Sequence, residues 1–221
     1  MNSIAIDGPA GAGKSTIAKE AAKKLGYIYV DTGALYRAIA LYVIKHIQNT
    51  QSKEEVVKQL PNIDVSLEFK ENVQRVILCG EDVSDDIRSP EVSMAASNIS
   101  SIKEVRAFLL DLQRNIAKKN NVIMDGRDIG TVVLPNSQVK IFLTASAEKR
   151  AERRYKDLEI KGIDITYDEV LSEIKKRDFQ DENREIAPLK PADDAVIIDT
   201  SDKTLSESID YVVSFIKGQL D

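Results

Sequence analysis

The chain has 221 residues, 43% apolar and 30% charged, enough for one large α/β domain or a core with one or two small appendages. A net charge of −5 argues against a broad nucleic-acid surface, though not against a local basic pocket. A single cysteine, Cys79, and a single histidine, His46, exclude an intrachain disulfide and a Cys/His metal site.

Met1-Asn2-Ser3 leads into one short apolar stretch with no basic segment or long apolar run, and no run of 18 apolar residues occurs. The expected location is the cytoplasm, with neither membrane nor nucleic acid as partner. Ser3-Ile4-Ala5-Ile6-Asp7 reads as a short buried strand ending in a glycine-rich turn. A helix is expected from about Lys14 to Leu25, stopped by Gly26. Tyr27 to Asp31 is the next strand, and Thr32-Gly33 turns into a helix with one apolar stripe through Leu35, Ala38, Ile39, Tyr42, Val43 and Ile47. This alternation implies an α/β fold with parallel strands.

Near Pro61 the period changes. Ile63, Val65, Leu67 and Phe69 alternate with polar residues, Lys70-Glu71-Asn72 makes a turn, Val73 to Cys79 returns and Gly80-Glu81-Asp82 ends it. The pattern predicts an antiparallel hairpin at about 62–84, inserted beside the main sheet. A helix at about 102–118 follows, then strands at Val122–Asp125 and Val139–Leu143. Charged helices are expected at about 147–160 and 167–185, a last strand at Ala195–Asp199 and a closing helix at about 205–217. Cys79 reads as a core residue of the insertion, His46 as a surface residue, and Tyr27 and Tyr29 as packing in or beside the second strand.

Gly8-Pro9-Ala10-Gly11-Ala12-Gly13-Lys14-Ser15 fits G-x-x-x-x-G-K-[ST], between a strand and a helix as that motif requires. Small residues let the backbone wrap a phosphate, and the helix start points free N–H groups at the anion. Lys14 supplies a point charge to the β- and γ-phosphates, and the Ser15 hydroxyl suits Mg²⁺, directly or through water. Gly8 to Thr16 is therefore the expected ATP-binding segment; no N-K-x-D stretch follows a strand, so ATP is preferred to GTP.

The partner of that nucleotide must be read from the arginines. Arg37 lies one turn into a helix after Asp31-Thr32-Gly33, and Arg127 follows a buried strand in Asp125-Gly126-Arg127-Asp128, at sheet ends where ligands bind. A surface ion pair is the plainer alternative for Arg127. Arg150, Arg153 and Arg154 are spaced i, i+3, i+4, and Arg177, Asp181 and Arg184 share a face if their helix is continuous. A solvated helix surface would explain either triplet alone; two together in an acidic chain favour an anion clamp. ATP and a nucleoside monophosphate bring roughly six negative charges, of which Mg²⁺ cancels about two, so guanidinium forks suit the remainder. An already ionised phosphate acceptor needs no strong general base, which agrees with the scarcity of histidine.

Gly8 to Ser15, Asp31-Thr32-Gly33-Ala34-Leu35-Tyr36-Arg37, Asp125 to Val133 and Arg177 to Pro188 together resemble the bacterial cytidylate kinase family, over essentially the whole length. The P-loop is widely shared, whereas the insertion, G-R-D-I-G-T-V-V and N-R-x-x-A-P-L are specific. The resemblance implies a three-layer P-loop NTPase fold with a five-stranded parallel sheet, a lid, and a monophosphate-binding domain bearing the hairpin. The expected division is a core of 1–31, 119–149 and 186–221, a monophosphate-binding region of 32–118, and a lid with arginine-rich helices at about 150–185, the lid proper near 150–165. It implies transfer of the γ-phosphoryl group of Mg-ATP to CMP or dCMP by a cytoplasmic monomer. Arg37, Arg127 and Arg184 would hold the acceptor phosphate, with Thr32 and Tyr36 lining its site; the family often has serine at position 32. Arg177 and Asp181 would contact the sugar, Ser97, Arg106 and Asp128 the cytosine edge, and Arg153 and Arg154 the ATP phosphates. Lys14, Arg127, Arg184, Arg153 and Arg154 would act on the moving phosphoryl group. Without the resemblance Arg106 reads as a helix-surface charge. The alternatives are a P-loop kinase for UMP, AMP or shikimate, and a non-catalytic nucleotide switch.

Overall fold

The computed structural model describes residues 1–47, 49–71, 73–160 and 162–220. Strand β1 (Ser3–Asp7) runs into the glycine-rich loop and helix α1 (Lys14–Leu25), followed by β2 (Ile28–Asp31) and α2 (Thr32–His46). The insertion comes next: α3 (Lys53–Gln59), β3 (Val65–Lys70), β4 (Val73–Leu78) and β5 (Glu81–Asp82). Helices α4 (Pro90–Ile99) and α5 (Lys103–Lys119) lead back to β6 (Val122–Gly126) and β7 (Val139–Thr144). The chain ends with α6 (Ala147–Ile160), α7 (Tyr167–Asn183), β8 (Val196–Asp199) and α8 (Leu205–Leu220).

Five strands form a parallel sheet in the order β2-β6-β1-β7-β8. Strand β1 is central, and its alternate residues serve opposite faces. Ile4 and Ile6 join Ile17, Ala21, Val212 and Ile216 under α1 and α8, while Ala5 joins Val30, Met124 and Ala117 on the other side. This makes three layers, helices on both faces of the sheet. Strands β2 and β6 lie on one side of β1, β7 and β8 on the other. The connection from β1 therefore runs towards β2 and that from β6 crosses to β7, in opposite directions, opening a crevice at the carboxyl ends of β1 and β6.

The hairpin is present but carries a third strand. Leu78 pairs with Glu81 and Ile77 with Asp82, so the expected terminating turn is instead the short strand β5. Asn72, placed in the turn by the alternation, lies outside the described residues. Cys79 is exposed rather than core: it sits at φ 49 in the tight turn between β4 and β5. His46 is exposed as expected, stacked on the Tyr42 ring. Helices α3 and α4 are additional to the predicted elements. Their N-caps Ser52 and Ser89 accept from Glu55 N and Val92 N, and Pro90 opens α4.

Helix α7 stops at Asn183, and Arg184 is an extended C-cap residue at φ −65, ψ 141. The continuous face assumed for Arg177, Asp181 and Arg184 is therefore absent; Arg184 reaches the same region from beyond the helix end. Helices α6 and α7 share a separate small core of Ala151, Leu158, Val170 and Ile174. At about 1.5–3 kcal/mol for each larger buried side chain, this pair is less firmly anchored than the sheet layers.

The turn after β1 tolerates no side chain at Gly8. Its φ is +147, and a Cβ would lie 1.9 Å from Leu143 O on β7. Gly8→Ala should destabilise the protein by about 3 kcal/mol or more, read as a lowered midpoint in urea unfolding; an unchanged midpoint would contradict this packing.

Candidate functional site

At the carboxyl ends of β1, β2 and β6 the crevice widens into a cleft of about 680 Å³. The glycine-rich loop forms one part. Gly13 adopts φ 84 before α1, and no side chain caps the first N–H groups of that helix. Ala10, Gly11, Gly13, Lys14, Ser15 and Thr16 line the cleft. Gly8, Pro9 and Ala12 do not: Gly8 is packed on Leu143, Ala12 is fully buried, and Pro9 contributes a carbonyl that accepts from Lys14 Nζ at 2.7 Å.

Arg37, Arg106, Arg127, Arg153, Arg154, Arg177, Arg184, Lys14 and Lys203 line the cleft, against the carboxylates Asp31, Asp125, Asp128, Asp157 and Asp181. A protein of net charge −5 has thus gathered an excess of cations in one concavity. Crowded together, these cations disfavour one another's charged forms. Burial, then the charge of Arg127, holds Lys14 well below its ordinary range. The same two causes bring Arg177 down to about 10. Burial and Arg106 lower Arg184. An anion entering here would oppose each shift, because an opposite charge favours the charged form.

Carboxylates at the strand ends aim these cations. Asp31 caps α2 by accepting from Ala34 N at 3.0 Å, and its other oxygen takes Arg37 Nη2 at 2.6 Å. Asp181 accepts from Arg127 Nε at 2.9 Å. Burial would raise Asp181, but the charge and hydrogen bond of Arg127 hold it low. Asp128 pairs with Arg106 through one oxygen and lies 3.5 Å from Arg184 Nη2 through the other. Arg184 Nε also donates to Ala187 O. The Arg106 guanidinium stands 5.8 Å from the Tyr36 ring centroid. Arg37 Nε and Arg177 Nε are buried without a hydrogen-bond partner among the described residues. Buried donors are seldom left so, and water or a ligand commonly completes them; these two border the cleft.

All ten residues expected to bind the acceptor line this one cleft: Thr32, Tyr36, Arg37, Ser97, Arg106, Arg127, Asp128, Arg177, Asp181 and Arg184. The clamp face on α6 divides. Arg153 and Arg154 line the cleft, Arg153 donating to Thr200 O at 2.6 Å. Arg150 is 5% exposed and committed elsewhere: to Ala145 O, to Ala10 O of the loop, and to both oxygens of Asp178 at 2.9 and 2.6 Å. It braces the loop against α7 instead of serving the clamp.

Two further aspartates at the carboxyl ends of strands orient the site. Asp125 accepts from Ser15 Oγ at 2.7 Å and Tyr29 OH at 3.2 Å, and is pushed up by burial and by Asp31. Asp7 accepts from Ile129 N at 2.8 Å and Gly130 N at 2.7 Å, fixing the π-helical turn Ile129–Val133 and, with it, Asp128. The wall formed by Thr200, Lys203, Leu205 and Ser208 carried no motif; its signal was its position just after β8.

A metal fits this set modestly. No group of three or more His, Cys, Asp or Glu side chains that could hold an ion occurs among the described residues. The Ser15 hydroxyl beside the buried Asp125 carboxylate offers hard oxygens, as Mg²⁺ prefers when phosphates and water supply its other ligands.

The sequence profile described as Cytidylate kinase matches residues 4–218. A cytidylate kinase of Caldicellulosiruptor saccharolyticus is 52% identical over 210 residues, 95% of this chain and 93% of that protein. One of Caldanaerobacter subterraneus subsp. tengcongensis is 52% identical over 97% of this chain and 94% of its own, and one of Carboxydothermus hydrogenoformans 45% over 99% and 98%. Among solved structures, an uncharacterised protein of Eubacterium ventriosum superposes with a TM-score of 0.52 at 14% identity, covering 98% of this chain and 99% of that one, a likeness of fold alone.

Burial raises Asp7 from 3.8 to about 6. Between those values the folded state holds more protons than the unfolded one, so stability falls as pH rises through the window. Asparagine cannot ionise. Raising pH from about 4 to about 7 should therefore shift the stability difference in favour of Asp7→Asn by up to about 3 kcal/mol. Urea unfolding of both proteins at the two pH values measures it; a shift in favour of the native protein would contradict it.

Proposed function

The chain belongs to the cytidylate kinase family, and we propose that this cleft performs its reaction by holding ATP and a cytidine monophosphate tip to tip between the P-loop and the arginines. The protein is an ATP-dependent kinase that phosphorylates CMP. The observation carrying the site assignment is the pair of buried, unpartnered guanidinium donors, Arg37 Nε and Arg177 Nε, in the same cleft as the loop lysine.

The loop N–H groups and Lys14 receive the ATP phosphates; Lys14 must leave Pro9 O to reach them. Mg²⁺ bound with ATP would be held on the protein side by Ser15 and Asp125, directly or through water, and would supply charge neutralisation at the phosphates. Arg37, Arg127 and Arg184 hold the acceptor phosphate, beside Thr32 and Tyr36. Thr32 is locked by donating to Asp125 O at 2.7 Å. That phosphate is ionised near neutral pH and attacks without a strong base, so positioning and electrostatic stabilisation carry the catalysis. Arg153 and Arg154 complete the charge at the ATP end. The small α6–α7 core suits a lid that closes over both substrates and keeps water from the γ-phosphate.

Ser97, Arg106 and Asp128 read the base. Arg106 and Ser97 donate to the O2 and N3 acceptors of cytosine, and Asp128 accepts from the C4 amine, where uracil would present a carbonyl. Arg177 and Asp181 contact the sugar hydroxyls. One chain supplies every group named, which favours a monomer. No described helix is long and apolar enough to cross a membrane, and both substrates are small nucleotides; we place the activity in the cytoplasm.

An ADP-release assay with CMP, dCMP, UMP, AMP and shikimate tests the acceptor. CMP and dCMP should be best; AMP or shikimate being best would overturn the reading. Arg37→Ala should lower kcat/KM for CMP about 10²–10³-fold while changing ATP affinity less than about threefold, as expected for one charge-stabilising donor. Unchanged turnover would remove Arg37 from the acceptor site and favour a nucleotide switch.

A further inference from the structure

Strand β2 is an edge of the parallel sheet, bonded to β6 alone among the described strands. The backbone groups on its outer side need partners from elsewhere. At Asp31 a side chain of the insertion supplies them. Asp31 N donates to Gln74 Oε1 at 2.9 Å, and Gln74 Nε2 donates to Asp31 O at 3.3 Å. The pair fixes the amide orientation, since the flipped form would set NH₂ against N–H. Gln74 thus imitates one rung of a β-ladder.

Its delivery is built into the insertion. Gln74 on β4 is the register partner of Phe69 on β3. Phe69 and Leu67 pack against the cluster that holds Val30, Val122 and Met124. The three-stranded sheet is therefore docked on the core by apolar contact and touches the edge strand by one polar side chain.

Asp31 is the residue on which Arg37 depends. One carboxylate oxygen accepts from Arg37 Nη2 and the other caps α2. The region is crowded: a Cβ on Gly33 would stand 3.1 Å from both Arg37 Nη1 and Asp31 Oδ1. Backbone displacement at Asp31 would pass to the guanidinium through one short bond.

We propose that Gln74 is a positioning residue for the acceptor phosphate, through which the insertion sets the Asp31–Arg37 pair. The inference rests on Arg37 being an acceptor-phosphate ligand. It gives the insertion a task in phosphate capture.

Gln74→Met keeps the length and bulk of the side chain and loses both hydrogen-bonding groups. Calorimetric titration with CMP and, separately, with Mg-ATP compares the native protein, Gln74→Met, Arg37→Ala and the double variant. Gln74→Met should weaken CMP about three- to tenfold, the scale of one or two hydrogen bonds, and leave Mg-ATP within about twofold. In the Arg37→Ala background it should weaken CMP by less than about twofold more, because the group it positions is gone. Unchanged CMP affinity, equal weakening of both nucleotides, or full additivity with Arg37→Ala would each overturn the proposal. Arg37→Ala binding CMP as the native protein does would instead refute the acceptor-site reading, and so separates the two failures.

Discussion

Positive charge held close together inside a cleft is the constraint around which this protein is arranged. Lys14 is buried, and Arg177 and Arg184 are depressed by burial and by neighbouring guanidinium groups. Each cation would be costly alone. Aspartates meet that cost in part, yet each takes only some of the N–H groups offered. Asp31 takes Arg37 by Nη2 and leaves Nε unpartnered; Asp181 takes Arg127 by Nε. A planar guanidinium with five donors can be held at one edge and still present another, which an ammonium cannot do. The site is oriented while it remains short of negative charge.

The fold follows from placing those aspartates. Asp7 and Asp31 end β1 and β2, and Asp125 stands one residue before the end of β6 between them, where the connections from β1 and β6 run in opposite directions. From there Asp7 fixes the turn that carries Asp128, Asp31 starts α2, and Asp125 meets the loop at Ser15. Arg150 ties the loop carbonyl of Ala10 to Asp178 on α7, next to Arg177. The nucleotide loop and the arginine-bearing helix are therefore bridged by one buried side chain of α6, Arg150.

Much of this was legible in the sequence. The P-loop spacing gave β1 and α1 with their bounds, and short apolar runs gave the remaining strands of the parallel sheet to within one residue. Period two located the hairpin because one face of it is buried. The failures have physical causes. Glu81 and Asp82 carry no strand propensity; they pair because the turn at Cys79 brings them beside β4. Helix spacing placed Arg150 with Arg153 and Arg154, but spacing cannot say which group a neighbouring helix will claim, and Asp178 claims Arg150. The same rule carried α7 through Arg184, whereas the helix ends one residue earlier. Arg106 and Ser97 had no motif of their own, and only the family resemblance drew attention to them. Gln74 carried no signal at all, since its role depends on a strand more than forty positions away in the sequence.

The most direct test is a crystal structure with CMP and a non-hydrolysable ATP analogue bound together. The CMP phosphate should touch Arg37 and Arg127, with its attacking oxygen about 3–3.5 Å from the γ-phosphorus of the analogue on the P-loop. CMP bound away from Arg37 and Arg127, or the two phosphates separated by a layer of water, would contradict it.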